Sequence, residues 1–274
     1  MTANELQLDK FKQQIAETFN RRKNYDNEGD LHQKLAHRLV EYGGIKPGEK
    51  IVDMATGTGL VAIAASNIVG EKGKIIGIDI SPGMLELAKS KIEIGKINNI
   101  EIREGDAETV ELPDNSFDKI FCCTALPFFS NIPATLRRWH NFLKPGGKIG
   151  ICAFAETSFI AGNVLRETSR KHGVLLSSWN AATGNREKCD LLLREAGFNS
   201  VEVIGEQFGN YIDFREAIKI WDSSLTHPLC GPLQQQDAEK RERIKTEYFA
   251  KIEALVTHTG IWNDIQTFFI FGLK

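Results

Sequence analysis

Between residues 50 and 154, short apolar runs alternate with segments of helical spacing, and this alternation constrains the chain more than any other feature. Strands are expected at 50–54, 74–79, 100–103, 119–124 and 148–154. Helices are expected at 60–69, from Pro82 to about Gly95, and around 133–143. Ser81 is placed to cap the second of these, with Pro82 in its first turn. Strands separated by single helices need crossover connections, so they form a parallel sheet covered on both faces.

The flanks follow other rhythms. Residues 5–42 predict two helices, one carrying Leu8, Phe11, Ile15 and Phe19, the other Leu31, Leu35, Leu39 and Tyr42. A polar turn from Asn24 to Asp30 separates them and holds Tyr25. Beyond 154, residues 157–183 read as irregular helix, and a helix at 186–196 ends on Gly197, a C-cap signal. Then come a strand at 200–204, an aromatic, turn-rich stretch at 211–235, a charged helix at 237–257 and a strand from Gln266 to Phe271.

Bulk properties exclude several classes. A formal charge of -2 over 274 residues gives no basic field for a phosphate backbone, so no nucleic-acid partner is expected. The polar N-terminus lacks the apolar core of a secretory signal, and no run is long enough to span a membrane. The five cysteines, with Cys122 and Cys123 adjacent in an apolar run, show no metal-binding spacing. A cytoplasmic protein without a metal site is the expectation.

Three loops carry the chemistry. Asp53-Met54-Ala55-Thr56-Gly57-Thr58-Gly59 follows the first strand and opens a helix. Its glycines admit a ligand close to the backbone, beside the positive end of the helix dipole. Asp79 ends the second strand, where a carboxylate accepts from both ribose hydroxyls of an adenosine. Gly105-Asp106-Ala107 follows the third, where a carboxylate can accept from an adenine amino group. Ligands bind such sheets at the carboxyl ends of strands, so the three together outweigh each alone. A dinucleotide fold would place a third glycine where Leu60, Val61 and Ala62 stand. Asp53 would also repel a pyrophosphate, whereas it attracts an amino-acid ammonium. The sign of the charge favours S-adenosylmethionine over NAD.

The strings IVDMATGTG, IIGIDISPGML, EGDAETVELPDNSFD and FLKPGGKIGI resemble the motifs of class I S-adenosylmethionine-dependent methyltransferases, closest to the ubiquinone/menaquinone-biosynthesis type. The segment FNRRKNYDNEGDLHQKLAHRL resembles the lid helices of that group and of the malonyl-carrier-protein methyltransferases. The resemblance covers residues 11–154. It implies a Rossmann-like, doubly wound α/β sheet of seven strands, the last antiparallel and supplied by the tail strand. N-terminal lid helices would occupy 1–45 and the methyltransferase domain 46–274, with substrate-cap insertions at about 157–185 and 211–258. It further implies that Gly57 and Gly59 approach the methionine portion with Asp53 near its amino end, that Asp79 binds the ribose, and that Thr56 and Ile80 also belong to the cofactor site. Met84 would pack on the adenine, Asp106 and Ala107 would hold its edge, Thr124 would line the methionyl arm, and Tyr25 would close over the cofactor.

Quinone-ring methyltransferases carry a Gly-Leu-Arg-Asn-like stretch after the fourth strand, where this chain has Thr124-Ala125-Leu126-Pro127-Phe128-Phe129. The expected acceptor is therefore a small molecule of secondary-metabolite type, methylated on oxygen or nitrogen, with S-adenosylhomocysteine as the other product. Alignment of acceptor and methyl carries most of such a reaction, and a histidine can remove a proton where the acceptor needs it. His32, His140, His172, His227 and His258 are the candidates; His227, beside Pro228 and the segment with Tyr211, Phe214 and Trp221, is favoured. Phe128, Phe129, Phe154, Phe159 and Trp179 join Tyr211 and Trp221 as core or pocket aromatics. Two rivals stand beside this reading: an enzyme for carrier-protein-bound acyl groups, using Arg21, Arg22 and Lys23 at its entrance, and a non-catalytic nucleoside-binding module. The helix at 237–257 is expected to be a solvated face, or else a homodimer contact.

Overall fold

The computed structural model describes residues 8–274; residues 1–7, the start of the expected lid and of the polar N-terminus, lie outside the described residues. The elements run α1 (Lys10–Asn20), α2 (Leu31–Gly43), β1 (Lys50–Met54), α3 (Leu60–Val69), β2 (Lys74–Asp79), α4 (Pro82–Ile94), β3 (Ile100–Glu104) and β4 (Phe117–Cys123). Next come α5 (Ile132–Phe142), β5 (Leu143–Phe154), α6 (Ile160–Lys171), α7 (Arg186–Glu195), β6 (Asn199–Gln207) and β7 (Asn210–Ile212). The chain closes with α8 (Phe214–Ser224), α9 (Gly231–Gln234), α10 (Ala238–Glu253), β8 (Ile261–Asn263) and β9 (Gln266–Leu273).

Seven strands form one mostly parallel sheet in the order β3-β2-β1-β4-β5-β9-β6. β1 pairs in parallel with β2 on one side and β4 on the other, and β4 pairs in parallel with β5. The tail strand β9 sits between β5 and β6, the place expected for it in the seven-stranded sheet. At the start of the β4–β5 ladder the register shifts between Phe117 and Lys119. The expected turn at Gly146 thus lies within β5, with Gly146 at φ 76°.

Two compact units share the chain. The first comprises residues up to Ala153, Arg186–Ile204 and Phe268–Lys274, so α1 and α2 cluster with the sheet. β1 is buried from Ile51 to Met54, which is why it reads as a continuous apolar run and not as an alternating one. Trp139 of α5 is fully buried and donates its indole N–H to the carbonyl of Ala107 at 2.9 Å. Trp139→Phe strands that carbonyl, and is expected to cost about 1–3 kcal/mol of stability. Urea unfolding checks this as a lower midpoint at unchanged slope.

The second unit comprises Phe154–Asn185 and Gly205–Thr267. Its core joins Val164 and Leu165 of α6, Ala217 and Trp221 of α8, and Ile244, Tyr248 and Ile252 of α10. The Tyr248 hydroxyl donates to the Ala217 carbonyl at 2.7 Å, satisfying the one polar atom that this ring buries. The charged helix expected as a solvated face is therefore amphipathic, its apolar residues recurring every fourth position. α8 corrects the turn-rich reading of 211–235. Asp213 caps it by accepting from the Glu216 N–H at 2.7 Å, and Ala217 and Trp221 are its buried stripe. Among the described residues no helix is long and apolar enough to cross a membrane.

Candidate cofactor-binding site

Within the first unit, loops at the carboxyl ends of β1 to β4 and the N-terminal segment around α1 line one partly open cavity. Two non-glycine wall residues, Ala55 after β1 and Thr124 after β4, hold positive φ of 55° and 56°. Such backbone strain concentrates where a strand end must turn sharply beside a ligand.

Asp79 organises the floor. Its Oδ2 accepts from the Gly57 N–H at 2.8 Å and its Oδ1 from the Ser81 N–H at 2.9 Å. The carboxylate thus ties the β1 and β2 loops together while facing the cavity. Burial pushes its carboxyl above the ordinary aspartate range, opposed by hydrogen bonds from the amides of Ser81, Gly57 and Ile80. Gly57, at φ 55°, makes this approach in the left-handed region.

Of the expected residues, Tyr25, Gly57, Asp79, Ile80, Met84, Asp106, Ala107 and Thr124 line this one cavity. Asp53, Thr56 and Gly59 shape the loop from behind. Asp53 is 1% exposed, and its Oδ2 accepts from the Thr56 hydroxyl at 2.5 Å and the Ala62 N–H at 3.2 Å. Burial pushes Asp53 up to about 7, despite those hydrogen bonds, and the charge of Asp79 adds to the rise. Gly59, at φ 81°, precedes α3 where a side chain would crowd Ala88 of α4.

The N-terminal segment reaches the loops after β1, β2 and β3 with polar side chains. Asn20 Oδ1 accepts from the Ser81 hydroxyl and the Gly83 N–H, both at 2.8 Å. Asp26 accepts from the Thr58 hydroxyl at 2.6 Å and pairs with Lys91 at 2.5 Å. Lys12 contacts Asp106 and, at 2.6 Å, Glu108. Glu108 also accepts from the amides of Ser130 and Asn131 at the start of α5. Asn20 and Asp26 fall in the segment that resembles the lid helices and Glu108 in the string after the third strand, but the sequence reading expects no role of any of them; Lys12 lies outside every quoted string.

Aromatic rings complete the wall. Phe19 meets Phe128 edge to face at 5.4 Å, and Tyr25 lies beneath the Arg22 guanidinium at 4.4 Å. Arg22 also pairs with Glu28, and Arg21 with Glu17, so both arginines of the basic triplet are compensated locally. Phe129 lines the same cavity, while Trp221 belongs to the core of the second unit and Tyr211 is exposed there.

The histidines are dispersed. His32 stacks on Tyr25 at 5.1 Å, and burial lowers its basicity. His140 packs against Phe198, also with lowered basicity from burial. His172 pairs with Glu247 at 2.8 Å in the second unit. His227 belongs to that unit too; its ring stacks on Trp179 at 4.7 Å and its Nδ1 accepts from the Leu229 N–H at 3.3 Å. Among the described residues no group of three or more His, Cys, Asp or Glu is placed to hold a metal ion.

A family model described as a methyltransferase domain matches residues 45–207. A ubiquinone/menaquinone biosynthesis C-methyltransferase of Shewanella sp. (strain W3-18-1) is 34% identical over 127 residues, covering 46% of this chain and 51% of the relative. Its counterpart in Cronobacter sakazakii is 34% identical over 141 residues, covering 49% and 56%. The chain thus spans about half the length of the curated relatives it matches. Two solved structures share its fold. The YcgJ protein of Bacillus subtilis has a TM-score of 0.61 at 19% identity, covering 89% of this chain and 99% of that one. A Haemonchus contortus phosphoethanolamine N-methyltransferase bound to S-adenosylhomocysteine has a TM-score of 0.56 at 19% identity, covering 88% and 52%.

Proposed function

The chain belongs to the methyltransferase-domain family of class I S-adenosylmethionine-dependent enzymes, and from that premise we propose that it transfers a methyl group from S-adenosylmethionine to a small-molecule acceptor. One observation carries the reading: loops from the ends of four adjacent strands, two of them bearing carboxylates, converge on one cavity. The donor set suits the ligand. Asp79 faces the cavity with its two oxygens already fixed by amides, ready to accept from ribose hydroxyls. Ile80 and Met84 give an apolar flank for the base, and Asp106 supplies an acceptor for its amino group. When bound, S-adenosylmethionine supplies an electrophilic methyl group on a sulfonium centre.

The protein's own part is alignment and exclusion of water. Phe19, Tyr25, Phe128 and Phe129 present apolar surface around the cavity, which strengthens every electrostatic interaction within it. Holding a nucleophile in line with the methyl is worth roughly 7–11 kcal/mol, so a base is needed only for an acceptor that must lose a proton. For that role His227 stays our candidate. Its Nδ1 accepts an amide N–H, so the neutral ring carries its proton on Nε2. It would have to release that cap to take a proton at Nδ1.

We retain an oxygen or nitrogen acceptor as the proposal. Its support is the segment after β4, where Phe128 and Phe129 occupy the cavity wall in place of the polar stretch expected of quinone-ring enzymes. The curated relatives named above are C-methyltransferases, so labelled methyl donor with phenol, amine and quinol acceptors is the deciding assay. Label on a phenol or amine supports the proposal, and label on a quinol ring carbon alone overturns the choice of atom. Calorimetry tests the cofactor itself: S-adenosylhomocysteine is expected to bind at micromolar concentration and NADH not at all. The reverse preference would turn the reading to a dehydrogenase.

A further inference from the structure

Lys12 of α1 is only 7% exposed, an unusual state for a lysine, and its ammonium lies between the carboxylates of Asp106 and Glu108, themselves 7% and 8% exposed. All three side chains line the cavity. We propose that Lys12 is a specificity-determining and positioning residue, which holds Asp106 as an acceptor-only carboxylate and so makes the pocket select a 6-aminopurine over a 6-oxopurine. This rests on the S-adenosylmethionine reading and extends it to a residue on the lid.

The argument is one of charge and lone pairs. Asp106 Oδ1 accepts from the Glu108 N–H at 2.9 Å and Oδ2 accepts from Lys12, which leaves further lone pairs for an amino donor. Glu108 is committed elsewhere, to the amides of Ser130 and Asn131 and the Thr135 hydroxyl. Two buried carboxylates therefore share one ammonium. Other charged groups nearby are already engaged. Asp9 caps α1 through the Lys12 N–H, Arg138 of α5 donates to the carbonyls of Thr109 and Val110, and Asp79 is fixed by Gly57 and Ser81. Burial pulls the Lys12 ammonium down, and the hydrogen bonds and charges of Asp106 and Glu108 outweigh it, leaving it above the ordinary lysine range. Burial likewise raises Glu108, and hydrogen bonds from Lys12, Ser130 and Asn131 bring it below the ordinary range.

Without the ammonium, two like charges in a dry site relax by sharing a proton. A protonated carboxyl can donate as well as accept, so it accommodates a 6-oxo group and the selectivity goes. Calorimetry with S-adenosylhomocysteine and its 6-oxo counterpart, S-inosylhomocysteine, tests this. The unaltered protein is expected to favour the amino compound by about ten- to hundredfold, the range for a hydrogen bond to a charged group. In Lys12→Met, and in Lys12→Gln as a second neutral variant, the preference is expected to fall to within about threefold. Lys12→Arg is expected to keep it. Lys12→Met combined with Glu108→Gln is expected to restore it, because Asp106 then has no charged neighbour to share a proton with. Equal weakening of both ligands in the neutral variants, or an unchanged preference, overturns the proposal. Failure of the unaltered protein to bind either compound overturns the cofactor reading instead.

Discussion

Asp79→Ala is expected to weaken S-adenosylhomocysteine binding by at least about a hundredfold. The carboxylate contributes twice. It would accept from two ribose hydroxyls, each charge-assisted bond being worth about 1.5–3 kcal/mol, so together about 3–6 kcal/mol. It also fixes Gly57 and Ser81, and the alanine leaves both amides without their acceptor. Asp79→Asn keeps an acceptor for one amide and loses the charge, so its defect should be intermediate. Burial raises the pKa of Asp79, so its carboxylate takes up a proton at milder acidity than an ordinary aspartate. Ligand affinity should therefore fall as the pH is lowered through that raised value, and the alanine variant should lack this dependence. Calorimetry across pH, with thermal unfolding to show that the variants are folded, reads both effects. Unaltered affinity in Asp79→Ala would remove the ribose from this loop.

Asp53→Asn is expected to stabilise the ligand-free protein at alkaline pH while weakening its affinity for the ligand. Asp53 titrates near 7 when folded, so the native state holds this proton more tightly than the unfolded chain does. The residue's contribution to stability is complete below about pH 4, declines as the pH rises towards 7, and is flat above it. Asparagine offers the same acceptor to Thr56 and Ala62 without a charge to bury. The variant should then exceed the unaltered protein by an amount of the order of 2–4 kcal/mol at pH 8, with the gap closing at pH 4. The ligand's ammonium would lose its counter-charge, lowering affinity by about tenfold, or 1.4 kcal/mol. Urea unfolding and calorimetry at both pH values separate the two effects. Higher stability with unchanged affinity would leave Asp53 as a purely structural part of the loop.

How much of this was legible beforehand depended on the range of the interactions. The strands at Lys50–Met54 and Lys74–Asp79 and the helix opening at Pro82 lie where expected, because each is set by a local signal: an apolar run, a cap or a proline. The cavity's wall was also legible, since Gly57, Asp79 and Asp106 follow strands at fixed offsets. Asp53 was read as a wall residue because its position in the loop says nothing about which way the side chain turns; only packing aims it at Thr56 and Ala62. Lys12 and Glu108 were missed because their partnership joins residues 96 positions apart along the chain, with three helices and three strands between them. In α8, Trp221 reads from the sequence as a core or pocket aromatic within a turn-rich stretch. The spacing from Phe214 through Ala217 to Trp221 carries the helical period, and Asp213 is its cap.

The place of β9 bears on how the polypeptide is made. β6 is the outermost strand at its end of the sheet, and its neighbour there is β9, which is complete only at Leu273. As the chain leaves the ribosome, β1 to β5 can pair in turn, whereas β6, finished at Gln207, waits for more than sixty further residues. At about 5–20 residues per second that is a delay of several seconds. Throughout it β5 presents an open apolar edge, the condition under which strands pair with the wrong chain. A stop codon placed between β6 and β9 would make that transient edge permanent, and aggregation of the nascent product is its natural outcome.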